Sequence, residues 1–138
     1  MSKSDAFEAA ILDLVFKGTA IANLADNAAS SPLTNLVVHL HTADPGESGT
    51  QATNQATYGG YAAVNVARGA GWTRSITTIS PTADILFPAW ASGASNTITH
   101  FSVGNGTMIF YSGTVTPNIS VSSGVQPKLS TNSTITED

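Results

Sequence analysis

The stretch from Asn96 to Thr114, N-T-I-T-H-F-S-V-G-N-G-T-M-I-F-Y-S-G-T, restricts the folds open to this chain more than any other. Two runs of β-branched and aromatic residues flank Asn105-Gly106, the dipeptide that best tolerates the two positive φ values of a type I′ hairpin turn. With Gly104 and Thr107 beside a two-residue turn, Val103 is predicted to face Met108, Ser102 to face Ile109, Phe101 to face Phe110 and His100 to face Tyr111. Side chains alternate along a strand with period two. One face then carries Phe101, Val103, Met108 and Phe110 and needs cover. The other carries Ile98, His100, Ser102, Ile109 and Tyr111, a mixed face suited to burial under a neighbouring segment or against another protein.

Several further strands are predicted around this hairpin. Leu36 to Thr42 alternates, with Leu36, Val38 and Leu40 on one face and Val37, His39 and His41 on the other. Strands are also expected around Tyr61 to Arg68, Trp72 to Ile79, Ala83 to Phe87, Pro117 to Val121 and Val125 to Ser130. Pro127 marks the last as an edge. Short strands with turn residues between them indicate a single-domain, mainly β, antiparallel sandwich of jelly-roll type. Ahead of it, Phe7, Ala10, Ile11, Leu14 and Val15 recur at helical spacing, with Ser4 or Asp5 as N-cap, Glu8 completing a capping box and Gly18 as a stop, so an N-terminal α-helix is predicted over 5–17. The expected division is a helix and linker over 1–30 (with a loop at 26–32), a β domain over 31–130 and a polar tail over 131–138 that is flexible or donated to a neighbour. Ser48 to Thr57, with alanine as its apolar content, reads as a long exposed loop.

The 138 residues suffice for one core. Charged residues make up only 10% of the chain, where about 25% is usual, so its surface is polar but weakly charged. A net charge of −4 with five scattered basic residues argues against binding a phosphate backbone. The absence of cysteine excludes disulfides, zinc thiolate sites and thiol catalysis. No long apolar run suggests a secretory signal or membrane span, so synthesis in a cytoplasm is expected.

Little in the chain points to chemistry. His39 and His41 share a strand face and could clamp a metal, with Asp44 or Glu47 as a third ligand, but the spacing places no full ligand set and exposed strand histidines are common. No G-x-S-x-G elbow accompanies the many serines, and the glycines at 59–60 and 69–71 lack the helix and Lys-Ser/Thr of a phosphate cradle. Trp72, Trp90, Tyr58 and Tyr61 admit stacking on sugars, and core packing explains them as well. The expectation is no enzyme, no cofactor and no metal.

Leu40-His41-Thr42-Ala43-Asp44-Pro45-Gly46-Glu47, followed by Gly59-Gly60-Tyr61-Ala62, Ala83-Asp84-Ile85-Leu86-Phe87-Pro88, Trp90 and Thr99-His100-Phe101, resembles in order and spacing a family of small tailed-bacteriophage proteins often labelled tail-fibre or virion structural proteins. The resemblance spans about residues 7 to 121. Ala63 departs from the arginine common in that family, and Thr50 to Thr57 is longer than its usual loop. The resemblance implies a virion component assembled in a bacterial host. A weakly charged domain without a site contributes surfaces, so the first expectation is a capsid decoration, or cement, protein that self-associates and bridges major capsid subunits, binding neither nucleic acid nor membrane. The alternative is a tail-fibre or baseplate-associated module contacting host glycan. The interface is expected to use Phe7, Ile11 and Leu14 of the helix and His100, Ile109 and Tyr111 of the hairpin.

Overall fold

In a computed structural model of the chain, residues 2–17, 19–24 and 33–137 are described. The expected stop at Gly18, the loop at 26–32 and the side chains of Leu14 and Val15 lie outside the described residues. Among the described residues one helix, α1 (Asp5–Lys17), precedes nine strands: β1 (Asn35–His41), β2 (Val64–Ala67), β3 (Trp72–Ser75), β4 (Thr78–Pro81), β5 (Ile85–Leu86), β6 (Asn96–Gly104), β7 (Ile109–Val121), β8 (Lys128–Leu129) and β9 (Ile135–Thr136). They form antiparallel sheets of order β2-β1-β6-β7, β3-β4-β9 and β5-β8. The fold class is as the sequence predicts: mainly β, with one N-terminal helix.

The alternation in β1 works as read. Val38 and Leu40 pair with Val103 and Phe101 of β6, and all four are buried. This face of the large sheet packs on Ile85, Leu129 and Ile135 from the short strands, with Tyr58 and Phe87 completing the core. Ser4, not Asp5, caps α1: its carbonyl accepts from Glu8 N and its Oγ from Phe7 N at 3.3 Å. That hydroxyl also donates to Ile109 O, so the cap ties the helix to β7. Asp5 Oδ2 instead accepts from Ser48 Oγ at 2.7 Å.

The hairpin forms, but its register differs from the predicted one. Asn105 Oδ1 accepts from Thr107 N at 3.0 Å and Met108 N at 2.8 Å, so an Asx turn spreads the connection over Asn105 to Met108, with Gly106 at φ +98°. Gly104 therefore pairs with Ile109, and a bulge follows at Phe110. Val103 then opposes Tyr111, Ser102 opposes Ser112, Phe101 opposes Gly113 and His100 opposes Thr114. Tyr111 moves to the core-facing side beside Val103, while Phe110 packs on Phe7 of α1 with ring centroids 4.6 Å apart.

Two other expectations change. The single strand predicted from Trp72 to Ile79 is a hairpin of β3 and β4. Ile76 turns it at φ +54°, held by Arg74 Nη1 donating to Ile76 O at 2.7 Å. The polar tail is paired within the chain, because β9 adds to β4 and Ile135 is buried. Lys3 Nζ meets Glu137 Oε2 at 3.1 Å, and the Tyr111 hydroxyl donates to the same carboxylate, so both ends of the chain are held over Tyr111.

Gly104 is the tightest point of this arrangement. A Cβ there would stand 2.0 Å from Met108 O and 2.7 Å from Gln51 Oε1. Gly104→Ala is expected to lower stability by about 3 kcal/mol, read as a fall in the urea midpoint at unchanged slope.

Candidate functional site

The second face of the large sheet carries polar side chains that are buried. His39, His41 and Ser102 project from it, and the segment Thr42 to Ala56 covers them. Ser48 to Thr57 was expected to be a long exposed loop; Ser48, Thr50, Ala52, Asn54 and Thr57 are exposed, while Gln51 and Ala56 are buried. The covering segment is a compact loop whose ends meet, with Thr42 N donating to Asn54 O at 2.9 Å and Ala56 N to Leu40 O at 2.8 Å. Its far end reaches the hairpin tip, where Gln51 N donates to Thr107 O at 2.9 Å.

Gln51 is fully buried, and its side chain serves as a clamp. Nε2 donates to Val37 O at 2.9 Å and Ser102 Oγ at 3.2 Å, while Oε1 accepts from Gly106 N at 2.7 Å. His41 continues the chain of bonds. Thr53 O can only accept, so His41 Nδ1 carries the proton and donates to it at 2.8 Å. Nε2 is then an acceptor and takes the Ser102 hydroxyl proton at 2.8 Å.

A serine hydroxyl bonded to an imidazole is half of a hydrolase centre, but this pair cannot serve as one. Both residues are 0% exposed, and the far ring nitrogen faces a carbonyl where a triad has a carboxylate. Nor is His41 available to a metal, since both its nitrogens are taken by protein groups. The His39 and His41 rings lie 6.2 Å apart, and among the described residues no three His, Cys, Asp or Glu side chains come together. The network is a structural clamp.

The aromatic residues considered for sugar stacking are internal fittings. Tyr58 is buried and donates to Pro88 O at 2.8 Å, and the Tyr61 hydroxyl accepts from Leu40 N at 3.0 Å, completing the edge of β1 beyond β2. Trp72 and Trp90 are half-buried against the core.

Open, ligand-sized space lies elsewhere. Between Ile98↔Ile119 and His100↔Thr114, β7 carries four residues, Val115 to Asn118, where β6 carries Thr99 alone, so β7 bulges at the sheet edge, with a cis Thr116-Pro117 peptide. A groove of about 730 Å³ runs between this swelling and the 128–134 segment. Thr114, Thr116, Asn118, Ser120, Asn132 and Thr134 line it, and their side chains have no hydrogen-bond partner among the described residues. Pro117, Ile119 and Leu129 supply apolar patches between them. Lys128 is the one charged residue of the lining, and its Nζ is paired with Asp84 Oδ2 at 2.7 Å. That bond, with a second from Thr131 N, holds the Asp84 carboxyl below the usual carboxylate range. No pattern along the chain marks this groove beyond richness in Ser, Thr and Asn, because a bulge creates it.

The residues expected at an interface scatter. Phe7 and Ile109 are buried inside the chain, 7% and 1% exposed, because the Asx turn and bulge set Ile109 opposite Gly104 and Phe7 closes over Phe110. Tyr111 is half-buried under Glu137, and desolvation and that carboxylate both push its hydroxyl pKa up. Ile11 and His100 remain partly exposed.

Residues 2–136 match the family described as podophage GP4 fiber I protein gp80. The chain belongs to this fibre family. It is accordingly a bacteriophage virion structural protein of the tail fibre, non-enzymatic, whose partners are other virion proteins. No curated protein matches it. The capsid decoration expected from composition is corrected here, since the matched family is one of fibre proteins, not of the shell.

The clamp has a pH signature. Burial, with smaller contributions from the neighbouring imidazoles, lowers the His41 pKa from 6.5 to about 4, against the raising effect of the Thr53 bond and Asp44. Burial lowers that of His39 too, opposed by Gln55. The unfolded chain therefore takes up the His41 proton at a pH where the folded chain still refuses it, so stability is full above pH 6.5 and falls between 6.5 and about 4. Allowing for solvent screening, His41 accounts for about 2 kcal/mol of that loss. Urea unfolding across this window should show the decline, and His41→Asn should be less stable at neutral pH but with a flatter slope.

Proposed function

We propose that this fibre-family chain is a host-contacting module that meets glycan on the bacterial surface, held to the virion through α1. The observation that carries the reading is the open groove beside β7, ligand-sized and lined by hydroxyl and amide groups unpaired among the described residues, while the buried Gln51, Ser102 and His41 cluster is closed. A rigid β body with such a groove suits recognition without chemical change. Purified protein added to host cells before virions should slow adsorption, and periodate oxidation of the cell-surface sugars should remove that competition. Undiminished adsorption at saturating protein would overturn the reading.

Attachment on the helix side is supported by Phe16, which stands 80% exposed on α1. An unpaired aromatic ring on a helix is a natural anchor for another protein. Phe16→Asp should leave the thermal midpoint within a few degrees of wild type yet reduce the copies of this chain in purified virions, counted by mass spectrometry. Normal copy number would remove α1 from the attachment surface.

A further inference from the structure

The lining of the groove also restricts its ligand, and we infer that it takes an uncharged oligosaccharide, laid along β7 between Thr114 and Ser120. This rests on reading the chain as a host-contacting module, and it adds the ligand class and the residues.

The argument is one of matching groups. Sugars carry hydroxyls on their rims and C–H patches on their faces. The groove offers the same two kinds of group: Thr116, Asn118 and Ser120 supply donors and acceptors with no partner among the described residues, while Pro117 and Ile119, also in its lining, supply apolar surface. Asn132 and Thr134 face them from the opposite wall. Amide and hydroxyl groups that both donate and accept suit polyols, whose hydroxyls do the same. An acidic sugar or a phosphate calls for a cation or a cluster of backbone N–H groups. The single cation of the lining, Lys128, already has its charge offset by Asp84, so the groove offers an anionic ligand little net positive charge. The volume of about 730 Å³ lies within the usual size of small-ligand sites.

An extended peptide is the competing occupant, because β7 is an edge strand and edges recruit strands. The swelling at Val115 to Asn118 opposes it. Residues that leave the ladder with β6 do not present the regular, flat row of backbone groups that an added strand needs.

The test uses the purified chain, titrated calorimetrically at roughly millimolar concentration with neutral glucan and galactan oligosaccharides and with uronic-acid and sialylated counterparts. Ser120→Trp and Thr116→Trp place a ring in the groove from exposed positions. Asn118→Asp adds a negative charge to it, and Asn65→Asp does the same on β2 as a control. Thermal midpoints and sedimentation of each variant report folding and self-association. Binding of a neutral series, weakened about tenfold or more by either tryptophan and unchanged by Asn65→Asp, is the expected result. Asn118→Asp should not convert the site to one preferring acidic sugars. Tighter binding of acidic sugars by the wild-type chain, neutral binding indifferent to both tryptophans, no binding across the panel, or a groove that controls self-association instead would each overturn the inference. The two levels separate cleanly. If the wild-type chain competes with virions for cells and the tryptophan variants compete equally well, host contact stands and the groove falls. If sugars bind in the groove but no adsorption is blocked, the groove stands and host contact falls.

Discussion

Gln51 is the side chain on which the back of the large sheet depends. One amide joins three pieces of chain distant in sequence: β1 at Val37, β6 at Ser102 and the hairpin turn at Gly106. Gln51 and Ser102 are themselves fully buried, where leaving a polar group unsatisfied costs about 1–3 kcal/mol. The amide reaches Gly106 only because Gly104 has no side chain in its path. Glycine at 104, the Asx turn at 105 and the buried glutamine at 51 are therefore one device. Through Ser102 it extends to His41 and Thr53, so the loop is closed over the sheet by polar bonds where most domains use apolar contact.

This device also explains which parts of the fold are legible in the sequence. Alternation in β1 and helical spacing in α1 depend on burying apolar groups, and apolar periodicity is what a sequence displays best. Val38, Leu40, Phe101 and Val103 all lie where the pattern puts them. The loop from Thr42 to Ala56 is packed through a glutamine, a histidine and a serine, residue types equally common in solvent, so the composition of Ser48 to Thr57 shows its exposed residues but not the burial of Gln51. The hairpin turn is legible at Asn105-Gly106 in place but not in length, because asparagine can bond its own following backbone as readily as enter a type I′ turn. That one ambiguity moves Tyr111 to the other face of the sheet and buries Ile109, two of the six residues expected at an interface. At Ile76 the turn residue is β-branched, against every local preference, and only Arg74 and the later strand β9 reveal why the chain reverses there.

The candidate site escaped the sequence for a related reason. Its walls are set by a bulge in β7 and by the passage of residues 128–134 between two short strands, so proximity of Asn118 to Asn132 is a product of topology. The residues that looked chemical, His39, His41, Tyr58 and Tyr61, are consumed in holding the fold. The residues left free to meet a ligand are ordinary threonines, serines and asparagines.

Low charge is the property that links the fold to the role of a fibre protein. With only 10% charged residues, association cannot draw on long-range attraction, which salt would screen beyond about 10 Å in any case. Recognition by such a surface has to come from short-range hydrogen bonds and apolar contact, which ionic strength affects little. Single contacts of that kind are weak. They become effective when many copies act together on one particle, since each further contact forms at high effective concentration. For that purpose binding groups have to be held still, and the groups proposed here sit on a strand whose neighbours are locked by the Gln51 clamp and by the two chain ends joined at Glu137. Rigidity of the body and neutrality of its surface are then two parts of the same solution.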